Sequence, residues 1–454
     1  MLHVKNIVLG LVVCSPMIAL AADDATPTAE KWTYNQCLDY AYSKNINLQQ
    51  LILANQQDQA TLEQSKAQWT PSLSFSTNQG FTNYPIGASN QSKNIYSGSY
   101  GLNASWIVFN GNIRRNQIKY DEMQQQISAL GIDDYRYTLQ TEILTRYLNI
   151  LYAKEAITIA EDNLAVSKYQ MERAETLMKS GKLSRVDYSE IESQYHNDKY
   201  SLTQAESSLS SAKLSLKTLL ELNIASDFDV ADIDFDDSEL SAELPRKTDV
   251  YDSACSWMPS LQRYKLASEA QQYNIDIARG GYYPTVSLNA GVGTSSTVTS
   301  NNGSVGSSTT AYNGNVGTQM KNNLNEQIAL NISVPIWDQK KTKTAVTKAK
   351  IAQLNADLDY QNAATTLSQT IENIYIEAEN AQAQYESCTE KLKSAELTDE
   401  LVNQQFTLGK VNTLDLLNAH SALISAQQAQ LQAKYMTVLN KRLLAFYQTQ
   451  QISL

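Results

Sequence analysis

Two hydrophobic periods run along this chain, and each appears twice in the same order. Leu73 and Phe75 alternate with Ser72, Ser74 and Ser76, and Tyr100, Leu102, Ala104, Trp106 and Val108 alternate with small or polar neighbours until Ile107. Much later Val286, Leu288, Ala290 and Val292 are answered by Ile328, Leu330, Ile332 and Val334. A period of two puts apolar side chains on one face and polar ones on the other. It predicts two pairs of strands, one pair in each half. A helical segment precedes each pair, roughly Trp32–Gln68 and Val250–Arg279. The segment Thr294–Met320 is nearly all Ser, Thr, Asn and Gly, and is expected to be a flexible loop.

The second period is helical and very long. Asn112–Ser180 holds no proline and a single glycine, Gly131, and Gln339–Leu408 holds neither residue. About 69 residues at 1.5 Å each make a helix of roughly 100 Å. Each stretch stops at a glycine, Gly181 or Gly409, where helices commonly end. A returning helix of roughly 40 residues follows. In the first return, Leu202, Ala205, Leu209, Ala212, Leu216 and Leu219 step by three and four, which is a coiled-coil seam. A helix pair joined at so short a turn packs antiparallel.

The order of these elements reflects a duplication. Trp69-Thr70-Pro71-Ser72-Leu73-Ser74 aligns with Tyr282-Tyr283-Pro284-Thr285-Val286-Ser287, an offset of 213 that also pairs Asn47-Leu48 with Ser260-Leu261. Ser105-Trp106-Ile107-Val108-Phe109-Asn110 aligns with Ser333-Val334-Pro335-Ile336-Trp337-Asp338 at an offset of 228. Gly181-Lys182-Leu183-Ser184-Arg185-Val186-Asp187 aligns with Gly409-Lys410-Val411-Asn412-Thr413-Leu414-Asp415 at the same 228. The change of offset places a 15-residue insertion between Pro284 and Trp337. The expected divisions are residues 1–21 as an export signal, 22–245 as the first repeat with a connector, and 246–454 as the second repeat.

Composition narrows the function. Glycine and proline number only 17 and 8, and no proline lies between Pro85 and Pro245 or after Pro335. A formal net charge of −11 argues against nucleic acid, whose phosphates need a basic face. Lys5, the apolar run Ile7–Leu20 and Ala19-Leu20-Ala21 followed by Asp23-Asp24 read as a signal cleaved after Ala21. Val13 is too bulky to make Cys14 a lipidation site, and no other run of 18 apolar residues predicts a transmembrane helix. Cys37, Cys255 and Cys388 stay in the mature chain. Cys37 and Cys255 hold similar places in the two halves, so a disulfide is allowed but not implied; small buried hydrophobes are the plainer reading. His3, His196 and His420 are far apart, and neither metal-ligand spacing nor a nucleotide or hydrolase fingerprint occurs. No cofactor and no enzymatic activity is expected. Between the halves, Asp227, Asp229, Asp232, Asp234, Asp236, Asp237, Glu239 and Glu243 occur with no Lys or Arg before Arg246. A calcium site or docking patch is one reading. A solvated linker is favoured, because the spacing fits no oxygen-ligand loop.

Four amphipathic strands cannot close a barrel, which needs at least eight in a membrane. Each is long enough for a tilted span of an outer membrane. Backbone groups in lipid must all be paired, so several chains must contribute to one barrel. The repeat resembles the TolC family of outer-membrane factors over almost the whole mature chain. The marks are the aromatic-x-Pro entries at Pro71 and Pro284, the exits Phe109-Asn110-Gly111 and Pro335-Ile336-Trp337-Asp338, and the two glycine turns with an aspartate six residues on. The resemblance implies a mainly α fold with a small β part. It implies a homotrimer whose 12-stranded β-barrel continues as a periplasmic α-helical barrel, in the cell outer membrane. It implies an exit duct for efflux or type I secretion, partnered by a periplasmic adaptor and an inner-membrane transporter that selects the cargo.

By position, the resemblance makes Gly181, Lys182, Leu183, Gly409, Lys410 and Val411 adaptor contacts at the tip. It makes Asp187 and Asp415 acids of the periplasmic gate. A carboxylate repeated around a symmetry axis, in a chain of net charge −11, predicts an entrance narrowed near Asp415 that prefers cations, with helix capping by Asp415 as the competing account. Asn418, Val411 and Phe406 depart from a well-studied member, which has an aspartate, a gate arginine and a tyrosine there. For Asp187 the competing reading is an acid favoured near a helix N-terminus. The alternative for the whole chain is an exported coiled-coil structural protein or adhesin. That reading leaves one amphipathic hairpin at the same place in both halves unexplained.

Overall fold

A computed structural model describes residues 31–86, 94–223, 225–300, 316–452 and 454; the segment expected to be an export signal, with Cys14, lies outside them. The first repeat runs α1 (Tyr34–Lys44), α2 (Ile46–Ala67), β1 (Ser72–Asn83), β2 (Asn94–Asn110), α3 (Ile113–Lys179) and α4 (Arg185–Leu219). A short helix α5 (Asp237–Leu240) sits in the connector. The second repeat runs α6 (Lys247–Trp257), α7 (Pro259–Gly280), β3 (Thr285–Ser300), α8 (Val316–Asn322), β4 (Asn325–Ser333), α9 (Lys341–Thr407) and α10 (Thr413–Thr449). Both long helices have 67 residues, which is roughly 100 Å. Among the described residues no helix is long and apolar enough to cross a membrane.

The opening helix expected in each half is two helices. In the first repeat Asn45 leaves the helical region and caps α2 by accepting from the Leu48 amide at 3.0 Å. In the second, Met258 leaves it because Pro259 follows, and proline biases the residue before it away from the helix. The two breaks are 213 positions apart, the offset already seen at Pro71 and Pro284. The core repeats with them: Ala41 and Ala254, and Leu48 and Leu261, are buried at matching places.

The strands form one antiparallel sheet in the order β1-β2-β3-β4. Both hairpins share a register: Ser72 faces Ser105 as Thr285 faces Ser333, and Gly80 faces Ser97 as Gly293 faces Asn325. The 15-residue insertion therefore falls beyond Gly293 and before Asn325. Of the loop expected over Thr294–Met320, residues 301–315 lie outside the described residues, and both described flanks are ordered elements rather than loop. β3 continues to Ser300, and its other side is held by Gln319 of α8, whose side chain accepts from the Thr297 amide, and by Asn323 just after α8, which donates to the Ser295 carbonyl. Pairing to β2 as far as Asn94–Ser300 satisfies backbone groups that a polar sequence alone would leave to water. Leu73, Phe75, Phe81, Leu102, Ile328, Leu330 and Ile332 are all exposed on this sheet.

Helices α3 and α4 form one antiparallel hairpin and α9 and α10 the other, with α10 also packed on α3. The seam from Leu202 to Leu219 faces inward, and Leu216 joins a buried cluster with Ile143, Leu144, Tyr147 and Leu151. Cys37 lies in that cluster, while Cys255 packs on a second one around Val250, Ala254 and Ile371. All three described cysteines are free, so the Cys37–Cys255 bridge does not form.

The acidic connector is not the solvated linker that its composition implied. Trp32 and Val230 form a parallel bridge, with Trp32 N donating to Asp229 O and Ala231 N to Trp32 O, both at 2.9 Å. Tyr147 Oη donates to the Ala231 carbonyl at 2.8 Å. Lys154 Nζ reaches Asp229 at 3.0 Å and Asp232 at 2.8 Å, Lys213 also pairs with Asp229, and Lys31 pairs with Asp232. Phe228, Val230, Ile233, Phe235 and Leu240 alternate with the acids and pack into the core. The connector is a belt strapped across the helices. The cations that answer its acids come from distant positions, which a local charge count cannot see.

Candidate functional site

The two hairpin tips are built alike. α3 ends in a Schellman motif: Gly181 N donates to Met178 O and Lys182 N to Leu177 O, both at 2.9 Å. α9 ends the same way, with Gly409 N on Phe406 O at 3.0 Å and Lys410 N on Gln405 O at 2.9 Å. Gly181 and Gly409 have φ of +75° and +67°, a region that costs other residues roughly 1–2 kcal/mol. A Cβ at either would meet nothing within 4 Å, so the glycines answer a backbone demand and leave open surface around the turn.

Each return helix then starts on a side-chain cap. Ser184 Oγ accepts from the Asp187 amide at 3.1 Å, and Asn412 Oδ1 accepts from the Asp415 amide at 2.8 Å. Both aspartates are thus the third residue of a helix, where an acid also suits the helix dipole. Their side chains differ. The Ser184 hydroxyl donates to Asp187 Oδ2 at 2.6 Å. That bond, opposed by slight burial and aided by the Thr413 hydroxyl, holds the Asp187 carboxyl below the usual carboxylate range. Asp415 is exposed. Arg173 Nη1 ties one tip to the other by donating to Thr407 Oγ1 at 3.0 Å.

The apolar surface of the tips is not centred on the turns' own apolar residues. Lys182 and Lys410 are exposed, but Leu183 and Val411 are half-buried. The open apolar side chains are Val186 at 69%, Leu408 at 67% and Leu414 at 60% exposure. Sequence reasoning missed all three, although Val186 and Leu414 are 228 positions apart. Both are the second residue of a return helix, pointing away from its seam.

A sheet of amphipathic strands at one end of two 100 Å hairpins, with twin capped turns at the other, defines a channel-forming class of protein. Residues 38–221 and 250–446, one block in each repeat, match the outer membrane efflux protein family, and the chain belongs to it. It is 21% identical over 340 residues to the outer membrane efflux protein BepC of Brucella suis, covering 75% of this chain and 69% of that one. It is 20% identical over 366 residues to the outer membrane protein TolC of Escherichia coli, covering 78% and 72%. Among solved structures it resembles VceC of Vibrio cholerae, with a TM-score of 0.73 at 14% identity, covering 91% of this chain and 96% of that one. It likewise resembles MtrE of Neisseria gonorrhoeae, with a TM-score of 0.73 at 20% identity, covering 91% and 88%. Family and fold are those of outer-membrane channels.

Proposed function

We propose that three copies of this chain close into one exit duct, carrying substrates from an inner-membrane pump across the periplasm and the outer membrane. The observation that carries this is the open flank on each side of the repeat pair. Within the chain, β2 of the first repeat pairs with β3 of the second, and α7 fills the space between α3 and α9. The same step is left unmade at the outer flanks, where β1 and β4 each have one described neighbour and α2 packs on α3 alone among the long helices. A second copy repeats the step, and a ring ends it. Eight strands are the least that close in a membrane, and three chains supply 12.

The tips then face the periplasm. Val186, Leu408 and Leu414, beside Gly181, Lys182, Leu183, Gly409, Lys410 and Val411, offer an adaptor a small apolar patch rimmed by lysines. Asp415, three times around the axis, would set the charge of the narrowed entrance, with Asp187 in a capping role beside it.

The repeat offsets also specify the register between copies. Ala104 faces Ala290 within the chain, so Ile332 of β4 faces Thr77 of the neighbouring copy. A protein with Ile332→Cys and Thr77→Cys, oxidised in its membrane, is expected to run as a covalent three-chain species under denaturing conditions, while each single variant runs as one chain. A two-chain limit, or monomers only, overturns the ring.

A further inference from the structure

A buried cluster outside the tips joins the two hairpins. His420 of α10 is fully buried between Asp198 of α4 and Asp399 of α9. Its Nε2 lies 3.4 Å from Asp198 Oδ2 and its Nδ1 lies 3.9 Å from Asp399 Oδ1. The other oxygen of each carboxylate is already satisfied from its own helix: Gln194 Nε2 donates to Asp198 Oδ1 at 2.9 Å, and Asn403 Nδ2 donates to Asp399 Oδ2 at 3.0 Å. Gln170 of α3 donates to Asn403 Oδ1 at 3.0 Å, which brings in the fourth helix. His420 Nδ1 and Asp399 Oδ1 are both buried without a hydrogen-bond partner.

A neutral imidazole has one donor and one acceptor, so it can answer only one of two carboxylates. The other ring nitrogen then meets a carboxylate lone pair to lone pair, in a place water does not reach. A ring proton turns both nitrogens into donors and halves the buried negative charge. Among the described ion pairs, His420 is the cation that reaches either acid. On the side of Asp399, Glu396 and Glu400 of α9 and Arg173 of α3 line the adjoining hollow, with Arg173 turned to Thr407. From α4 the facing acid is Asp198, and from α3 the facing group is the uncharged Gln170. Burial pushes the Asp399 carboxyl up, against the pull of His420, so this acid too favours the proton-rich state.

We propose that His420, Asp198 and Asp399 form a proton-binding latch that fastens the two helical hairpins of one chain at acidic pH and loosens them as the pH rises. The sign follows from the bonds. With the proton bound, the ring turns an N–H toward each carboxylate, 3.4 Å from Asp198 and 3.9 Å from Asp399, so the attraction is present at low pH and is lost as the proton leaves. On the proposed ring, the seam between copies would lack this triad, because the positions 228 away from His420, Asp399 and Asp198 are Glu192, Met171 and Ala426. Acidification therefore tightens one of the two kinds of seam in the ring.

Amide exchange in the assembled protein tests this without reference to transport, so its outcome is separate from that of the duct. After correction for the intrinsic pH dependence, amides of residues 188–200 and 414–424 should exchange about tenfold more slowly at pH 5.5 than at pH 7.5, a factor worth about 1.4 kcal/mol in local opening. In His420→Gln and in the isosteric Asp399→Asn the difference should vanish, while the strands keep parental protection. Imidazole NMR of His420, set against His196, should show the ring protonated at pH 5.5 in the parent. Parental pH dependence in either variant, or a ring neutral at pH 5.5, overturns the latch.

Discussion

The two repeats reach the same backbone by different chemistry, and the differences show where the chain is tight. At the exit from each hairpin, two successive residues take positive φ: Gly111 at 67° and Asn112 at 63°, then Gln339 at 54° and Lys340 at 67°. Only the first joint needs glycine. A Cβ on Gly111 would meet the Gly280 carbonyl at 2.4 Å, because α7 of the second repeat lies directly against it. The second joint lies on an outer flank and tolerates long side chains there. The same contrast holds along the helices. Lys154 gathers two acids and the Val230 carbonyl of the connector, whereas Gln382, its counterpart 228 residues later, makes one bond to the Ser241 carbonyl. Ser65 and Gln117 bond the buried Asp121 in the first repeat, where the second has Ala278 and Ala349 at matching places. At these matched places the first repeat holds the denser polar packing.

The largest test of this contrast is at the joints. Gly111→Ala combines a left-handed backbone with a clash against main chain, and should cost about 3 kcal/mol. Gln339→Ala, at the same backbone position, should change stability by less than about 0.5 kcal/mol. Denaturant unfolding of the two variants decides it, and equal losses would break the comparison.

The connector comes next. Lys154→Met leaves Asp232 with the exposed Lys31 and Asp229 with Lys213. It should cost about 2 kcal/mol, against about 1 for Gln382→Met. The pH dependence sharpens this. Burial alone would raise Asp229, but hydrogen bonds from Lys213 and Lys154 outweigh it and hold the carboxyl low. Hydrogen bonds from Lys154 and Lys31 do the same for Asp232. Both folded values lie below the ordinary 3.8. Their stabilisation is therefore complete above that pH and is lost as pH falls through the folded values. Acid unfolding of Lys154→Met should begin at higher pH than that of the parent.

The smallest effect on stability is at the tips, where the two aspartates should separate by kind. Asp187→Asn weakens the cap it shares with Ser184, costing about 1 kcal/mol with ion selectivity unchanged. Asp415→Asn should leave stability within about 0.5 kcal/mol. In planar bilayers under a salt gradient it should move the reversal potential away from the cation side. An anion-preferring parent, or an unmoved potential, would remove Asp415 from the constriction.

Much of this was legible beforehand because it is local. Period two marks strands, glycine after a long breaker-free stretch marks a helix end, and a duplicated order of such signals needs no contacts to be read. The seam from Leu202 to Leu219 and the glycine turns at Gly181 and Gly409 lie where periodicity places them. The site was legible only in outline. Position along the chain located the tips. It could not tell that Leu183 and Val411 are half-buried while Val186, Leu408 and Leu414 stay open, because exposure depends on the direction of each side chain.

The chain by itself determined the repeat, the order and length of its elements, and the amphipathic strands too few to close alone. These follow from steric and hydrophobic rules that act over a few residues, so they are written wherever the residues are. The tertiary structure alone decided that the acidic connector is a belt, that Cys37 and Cys255 stay apart, and that His420 meets two carboxylates. Asp198 and His420 are 222 positions apart, and Lys154 and Asp232 are 78. The free energy of a buried charge is set by which group lies within a few ångströms in a medium of low dielectric. That neighbour is chosen by how the helices pack, and no spacing along the chain records it.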